Sequence, residues 1–169
     1  MKILSVDWAF HKTGLAAYND KTKFISVKVF EIPKKHAIKW WNKDFYFDYL
    51  SVMDPIIKSI NHYDKVLVEV GFGKVDKFTL FNAWFYGMWA YYRDRVEFIK
   101  SSEWIKECLR INHVNKLKKN QDKELIKQQF IKRFNNHDYN WLTQDEIDAI
   151  MMLLTTYPNL KVDGIQRWK

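Results

Sequence analysis

Apolar residues divide the chain into short segments. Ile3 to Trp8 is an apolar run interrupted by Asp7, and Gly14 to Tyr18 and Phe24 to Phe30 are two more. Asn19 to Lys23, NDKTK, is turn material between the last two, so the amino-terminal part predicts a meander of three antiparallel strands. From Trp40 to Tyr63 apolar residues recur at helical spacing, at Phe45, Tyr49, Val52, Met53, Ile56, Ile57 and Ile60. Pro55 lacks the amide proton that a helix interior needs, so this helix must kink or divide. Lys65 to Val70, KVLVEV, is apolar almost throughout and predicts a buried central strand. Lys77 to Tyr92 reads as a helix apolar on nearly every face, and Val96 to Lys100 as a further strand.

Ser101 and Ser102 are placed to cap a short helix from Glu103 to Leu109. The polar, basic stretch RINHVNKLKKN, residues 110–120, has no clean period and predicts a loop. Gln121 to Phe134 repeats apolar residues with helical spacing. Thr143 to Tyr157 does so most clearly, opening with Thr143 and Glu146 in a capping-box arrangement. The order of elements predicts an α/β fold: a five-stranded mixed sheet, a three-strand meander plus two parallel strands, flanked by helices.

Composition bounds this picture. A chain of 169 residues that is 47% apolar and 28% charged can bury a core, which argues against disorder and suits one domain spanning 1–169. The net charge of +8 makes a polyanion an expected partner. The excess is concentrated: residues 100–133 carry 10 basic and 4 acidic side chains, and the segment after them is acidic on balance. Charge alone leaves a solvated surface and a nucleic-acid interface equally open. Cys108 is the single cysteine, which excludes an internal disulfide or a Cys-rich zinc site and suits a reducing compartment. The start, MKILSVDWAF, lacks the apolar core of a secretory signal. The apolar stretch from Phe81 to Tyr92 is shorter than the ~20 residues that cross a bilayer. A cytoplasmic protein with no membrane partner is expected.

The carboxylates carry the chemistry. Asp7 lies inside the first strand and Glu69 near the end of the buried one, where unpaired charge is costly to desolvate and an apolar residue would serve the fold better. If those strands are adjacent and parallel, both acids emerge at the carboxyl end of the sheet, where ligands of open α/β sheets gather. Asp145 and Asp148, three residues apart in TQDEIDAIMMLL, share a helix face, about 60 degrees apart at roughly 100 degrees per residue. Glu146 falls on the other flank and reads as the cap. Singly, each acid has an ordinary structural explanation; Asp145, for example, could simply complement the helix dipole. Four converging acids repel one another unless protonated or neutralised by cations. Hard oxygen ligands suit Mg²⁺ or Mn²⁺, and two such ions about 4 Å apart can clamp the attacking and leaving oxygens of a phosphodiester.

Three segments carry a family likeness. SVDWAFHKTGLAAY resembles the first hairpin of RuvC-type Holliday junction resolvases, KVLVEVGF their central acidic strand, and QDEIDAIMML their carboxy-terminal acidic helix. The likeness runs from about residue 1 to residue 157. It implies a ribonuclease H-like fold and a homodimer that hydrolyses phosphodiesters of four-way DNA junctions with divalent metal. Asp7, Glu69, Asp145 and Asp148 would be the metal ligands, for Mg²⁺ or Mn²⁺, with two ions per site. By the same resemblance Phe72 matches an aromatic that stacks at the junction centre, and Lys106 and Lys123 match lysines near the scissile phosphate. Lys116, Lys118 and Lys119 would be phosphate contacts. Lys123 is counted with the four acids as catalytic. Trp8 and Ala9 stand where the family has a glycine-bearing turn, and the segment between Lys106 and Lys123 is long and basic, a divergence that resembles bacteriophage members. The aromatic helix around Phe81, Trp84, Phe85, Trp89 and Tyr92 is an expected dimer interface. Other readings are a flap, fork or RNA/DNA-hybrid nuclease of the same fold, or a junction-binding protein without catalysis. Carboxylates facing phosphate would only weaken a pure binder.

Overall fold

The structure is a computed structural model that describes residues 1–8, 12–31, 51, 54–70, 87, 92, 94–114, 117, 120–135 and 138–168. Strands β1 (Lys2–Asp7), β2 (Lys12–Asn19) and β3 (Phe24–Glu31) form the antiparallel meander. β4 (Lys65–Val70) pairs parallel with β1, and β5 (Val96–Lys100) pairs parallel with β4. A further strand, β6 (Gly164–Arg167), lies parallel to β3, giving the order β5-β4-β1-β2-β3-β6. Among the described residues the expected five strands are therefore six. β6 has four residues, of which only Gly164 and Ile165 are buried, too short a stretch for alternation to stand out in the sequence.

Alternation along the strands sorts the side chains to the two faces of the sheet. Leu4, Val6, Leu15, Ala17, Val66 and Val68 join Ile56 and Ile60 on one face. Ile56 belongs to a helical stretch at residues 54–59, which includes Pro55 and runs into a 3-10 turn at Ile60–His62. The other face carries Ile3, Ala16, Tyr18, Ile25, Val27 and Leu67, packed against three helices. These are α1 (Ser101–Leu109), α2 (Gln121–Arg133) and α3 (Gln144–Thr156). α3 lies on β1 and β2 and is covered in turn by α1 and α2, so every residue from Glu146 to Leu154 is buried. Each of its larger apolar side chains contributes about 1.5–3 kcal/mol by leaving water.

α1 corrects one expectation. It starts at Ser101, with Lys100 in the N-cap position and no side-chain cap, because a lysine side chain has no acceptor to offer the first amides; the Ser101 hydroxyl donates to Glu69. The expected aromatic helix of residues 77–92 lies outside the described residues apart from Gly87 and Tyr92. No helix among the described residues is long and apolar enough to cross a membrane.

Candidate functional site

The strand register brings the first two acids together. Ser5 pairs with Leu67 across the parallel β1–β4 ladder, and two residues further along the same face come Asp7 and Glu69. There Glu69 acts on Asp7, whose pKa is raised well above its ordinary value. Desolvation is the largest cause. The charges of Glu69 and Asp148, the Glu69 hydrogen bond and the charge of Asp145 raise it further. The residue keeps a partial opening to solvent, yet protein atoms crowd its carboxyl.

α3 delivers the other two. Its start is fixed by the expected capping box: Thr143 Oγ1 accepts from the Glu146 amide at 3.3 Å, and the Thr143 amide donates to Glu146 Oε2 at 2.8 Å. Glu146 is fully buried and also pairs with Arg167 of β6, whose guanidinium covers the Trp141 ring. Opposite Asp7 in the β1–β2 ladder stands Gly14. A Cβ at Gly14 would lie 2.0 Å from the carbonyl oxygen of Asp145, so only glycine lets the first turn of α3 rest on the sheet here. Asp148, 8% exposed, follows one turn later and accepts from Gln144 Nε2 at 2.7 Å. Burial, opposed by the Gln144 hydrogen bond, raises its pKa to about 7. The Glu69 charge adds to the rise, Lys123 opposes it, and Asp145 adds to it.

All four sequence-predicted acids therefore act on one another at the carboxyl end of β1 and β4. Lys123, exposed near the start of α2, is close enough to oppose the rise at Asp148. Lys106 is exposed on α1. Phe72, Lys116, Lys118 and Lys119 lie outside the described residues. Four residues that sequence reasoning assigned no part in the site also shape it: Gly14, Ser101, Trp104 and Gln144. Ser101 donates its hydroxyl to Glu69 Oε1, and Trp104 Nε1 donates to Glu69 Oε2 at 3.0 Å.

The donor set fits a hard divalent cation in chemistry: oxygen ligands only, with the pKa values of Asp7 and Asp148 raised first by burial and further by the charges of their fellow acids. It is not a ready-made cage. No group of three or more His, Cys, Asp or Glu side chains among the described residues stands in a metal-holding arrangement.

Comparison with solved structures agrees with this architecture. RuvC of Thermus thermophilus in complex with a Holliday junction substrate superposes with a TM-score of 0.57 at 11% identity, over 92% of each chain. The Holliday junction resolvase of fowlpox virus gives 0.54 at 16% identity, over 95% of this chain and all of that one. The same viral resolvase with junction DNA gives 0.52 at 14%. The fold is thus the ribonuclease H-like fold of these resolvases, with a sixth strand in the sheet. No protein-family model and no curated protein sequence matches the chain.

Proposed function

We propose that this chain is a divalent-metal-dependent endonuclease that resolves four-way DNA junctions. The observation that carries the reading is the gathering of Asp7, Glu69, Asp145 and Asp148, from two parallel strands and one helix, within electrostatic reach of one another at one end of the sheet. A fold needs no such group there. Its desolvation and self-repulsion are unfavourable, and a function that requires anionic oxygens explains why they are present. The solved resolvases of the same fold bind junction DNA, and the +8 charge suits a polyanionic substrate.

In this reading the four carboxylates hold Mg²⁺ or Mn²⁺. Bound there, such ions polarise a phosphodiester and make a water nucleophilic near neutral pH. The chain's own groups do the rest. Asp7, whose burial disfavours its charge, would have to be ionised to serve as a ligand, and Glu69 is held by its two donors. Lys123 adds positive charge beside Asp148, where it opposes the charge that builds up on phosphorus oxygens. A junction has two opposed strands to cut, so the proposal includes two copies acting as a dimer.

The test is cleavage of a synthetic four-way junction beside flap, fork, hybrid and linear duplex controls, with MgCl₂ and then with EDTA. The reading predicts paired cuts in opposed strands of the junction, none with EDTA, and loss of at least about a hundredfold in rate for Asp7→Asn. Faster cutting of flaps or hybrids would keep the chemistry and change the substrate. Tight junction binding with no cut under Mg²⁺ or Mn²⁺ would contradict the enzyme.

A further inference from the structure

Glu69 stands opposite Ile99 in the parallel β4–β5 ladder, so the chain leaves β5 and enters α1 directly beside the Glu69 carboxyl. Two side chains of the first turn of α1 use that position. Ser101 and Trp104 are three residues apart, hence on one helix face, and each donates to a different oxygen of Glu69. Neither donation serves the helix. Ser101 is the first residue of α1, past the N-cap position held by Lys100, and the Trp104 ring, 3% exposed, lies in a core where a purely apolar ring would fill the space.

We infer that Ser101 and Trp104 are positioning residues that set the Glu69 carboxylate for a divalent cation, an inference that rests on the reading proposed above. A glutamate has three freely turning torsions, and its ordering must be met by something when it becomes a ligand. Here two hydrogen bonds made within the fold order it beforehand. Each oxygen of a carboxylate accepts along two directions. One donor takes one direction on each oxygen and leaves a second accepting direction on each, and that second direction is what a cation would use. A tryptophan present only to fill the core would also need an acceptor for its N–H, but cation affinity would then be indifferent to it.

The experiment follows the indole proton itself. The eight tryptophans give eight indole signals in a nitrogen-15 spectrum, and Trp104→Phe deletes the one to be assigned. The full chain is titrated with MgCl₂ alone, without DNA, with calorimetry in parallel. The expected result is a saturable shift of the Trp104 signal at the Mg²⁺ concentration where the heat saturates. Ser101→Ala and Trp104→Phe should each need about 10–100-fold more Mg²⁺, with the junction-cutting rate restored once Mg²⁺ saturates. Mg²⁺ binding that leaves the indole signal unmoved, or unchanged affinity in both variants, would overturn the positioning role while leaving the metal site intact. No Mg²⁺ binding by the unaltered chain would overturn the metal reading and this inference together. If Trp104→Phe does not fold, Ser101→Ala carries the affinity test and through-bond correlation assigns the signal.

Discussion

At Asp148 the conflict between folding and function is most legible, because the same burial that makes the carboxyl useful makes its charge unfavourable. Its folded-state pKa of about 7 stands above the ordinary aspartate value. Below about pH 4 the group is protonated in both states and contributes nothing. As pH rises from there to about 7 the unfolded chain releases its proton first, so the folded state loses stability, by up to a few kcal/mol. Asp148→Asn should therefore stabilise the chain in EDTA, with little difference from the unaltered protein at pH 4 and a growing one up to pH 8, read from urea midpoints. Gly14 is the opposite case. Gly14→Ala puts a methyl group into the Asp145 carbonyl, which should cost about 1–3 kcal/mol and lift the start of α3 away from Asp7. Thermal melting checks the first effect and junction cutting the second. Asp7 and Glu69 could be found in the sequence because each is chemically misplaced in an apolar run, and Asp145 and Asp148 because their spacing puts them on one helix face. Gly14, Ser101, Trp104 and Gln144 could not, since their roles come from partners that only folding supplies.

Among the elements, α3 is the one that both builds the core and carries the site, and β6 is what holds its beginning. Glu146, fully buried, accepts from Thr143 and from Arg167. Removing the guanidinium by Arg167→Ala leaves that carboxylate with the Thr143 donors alone. The cost should be roughly 2 kcal/mol, below the range for a fully buried pair because the Arg167 side chain is half exposed. Chemical denaturation reads it. Thr143→Ala should cost about 1 kcal/mol by the same measurement. The capping box was visible in the sequence because its spacing is local, and so were the strands of the meander and the periodic helices α2 and α3. β6 was not visible, because its pairing with β3 and the Arg167–Glu146 contact depend on residues far apart in the chain.

For the whole molecule the governing quantities are charge and the geometry of one sheet end. The basic excess of residues 100–133 lies mostly at Lys100, Arg110, Lys116, Lys118 and Lys119, since α1 and α2 together carry five basic and four acidic side chains, and Lys123 of α2 acts electrically on Asp148. Binding of a four-way junction, measured in Ca²⁺ or EDTA, should weaken steeply and log-linearly with salt. An affinity flat between 50 and 200 mM would remove the polyanion from the picture. The central claim is narrower and spatial: the four carboxylates form one divalent-cation site. Anomalous diffraction from crystals soaked in MnCl₂ tests it most directly. The account predicts manganese bound by oxygens of Asp7, Glu69, Asp145 and Asp148 at the end of β1 and β4, and manganese seated elsewhere with that cluster bare would contradict it.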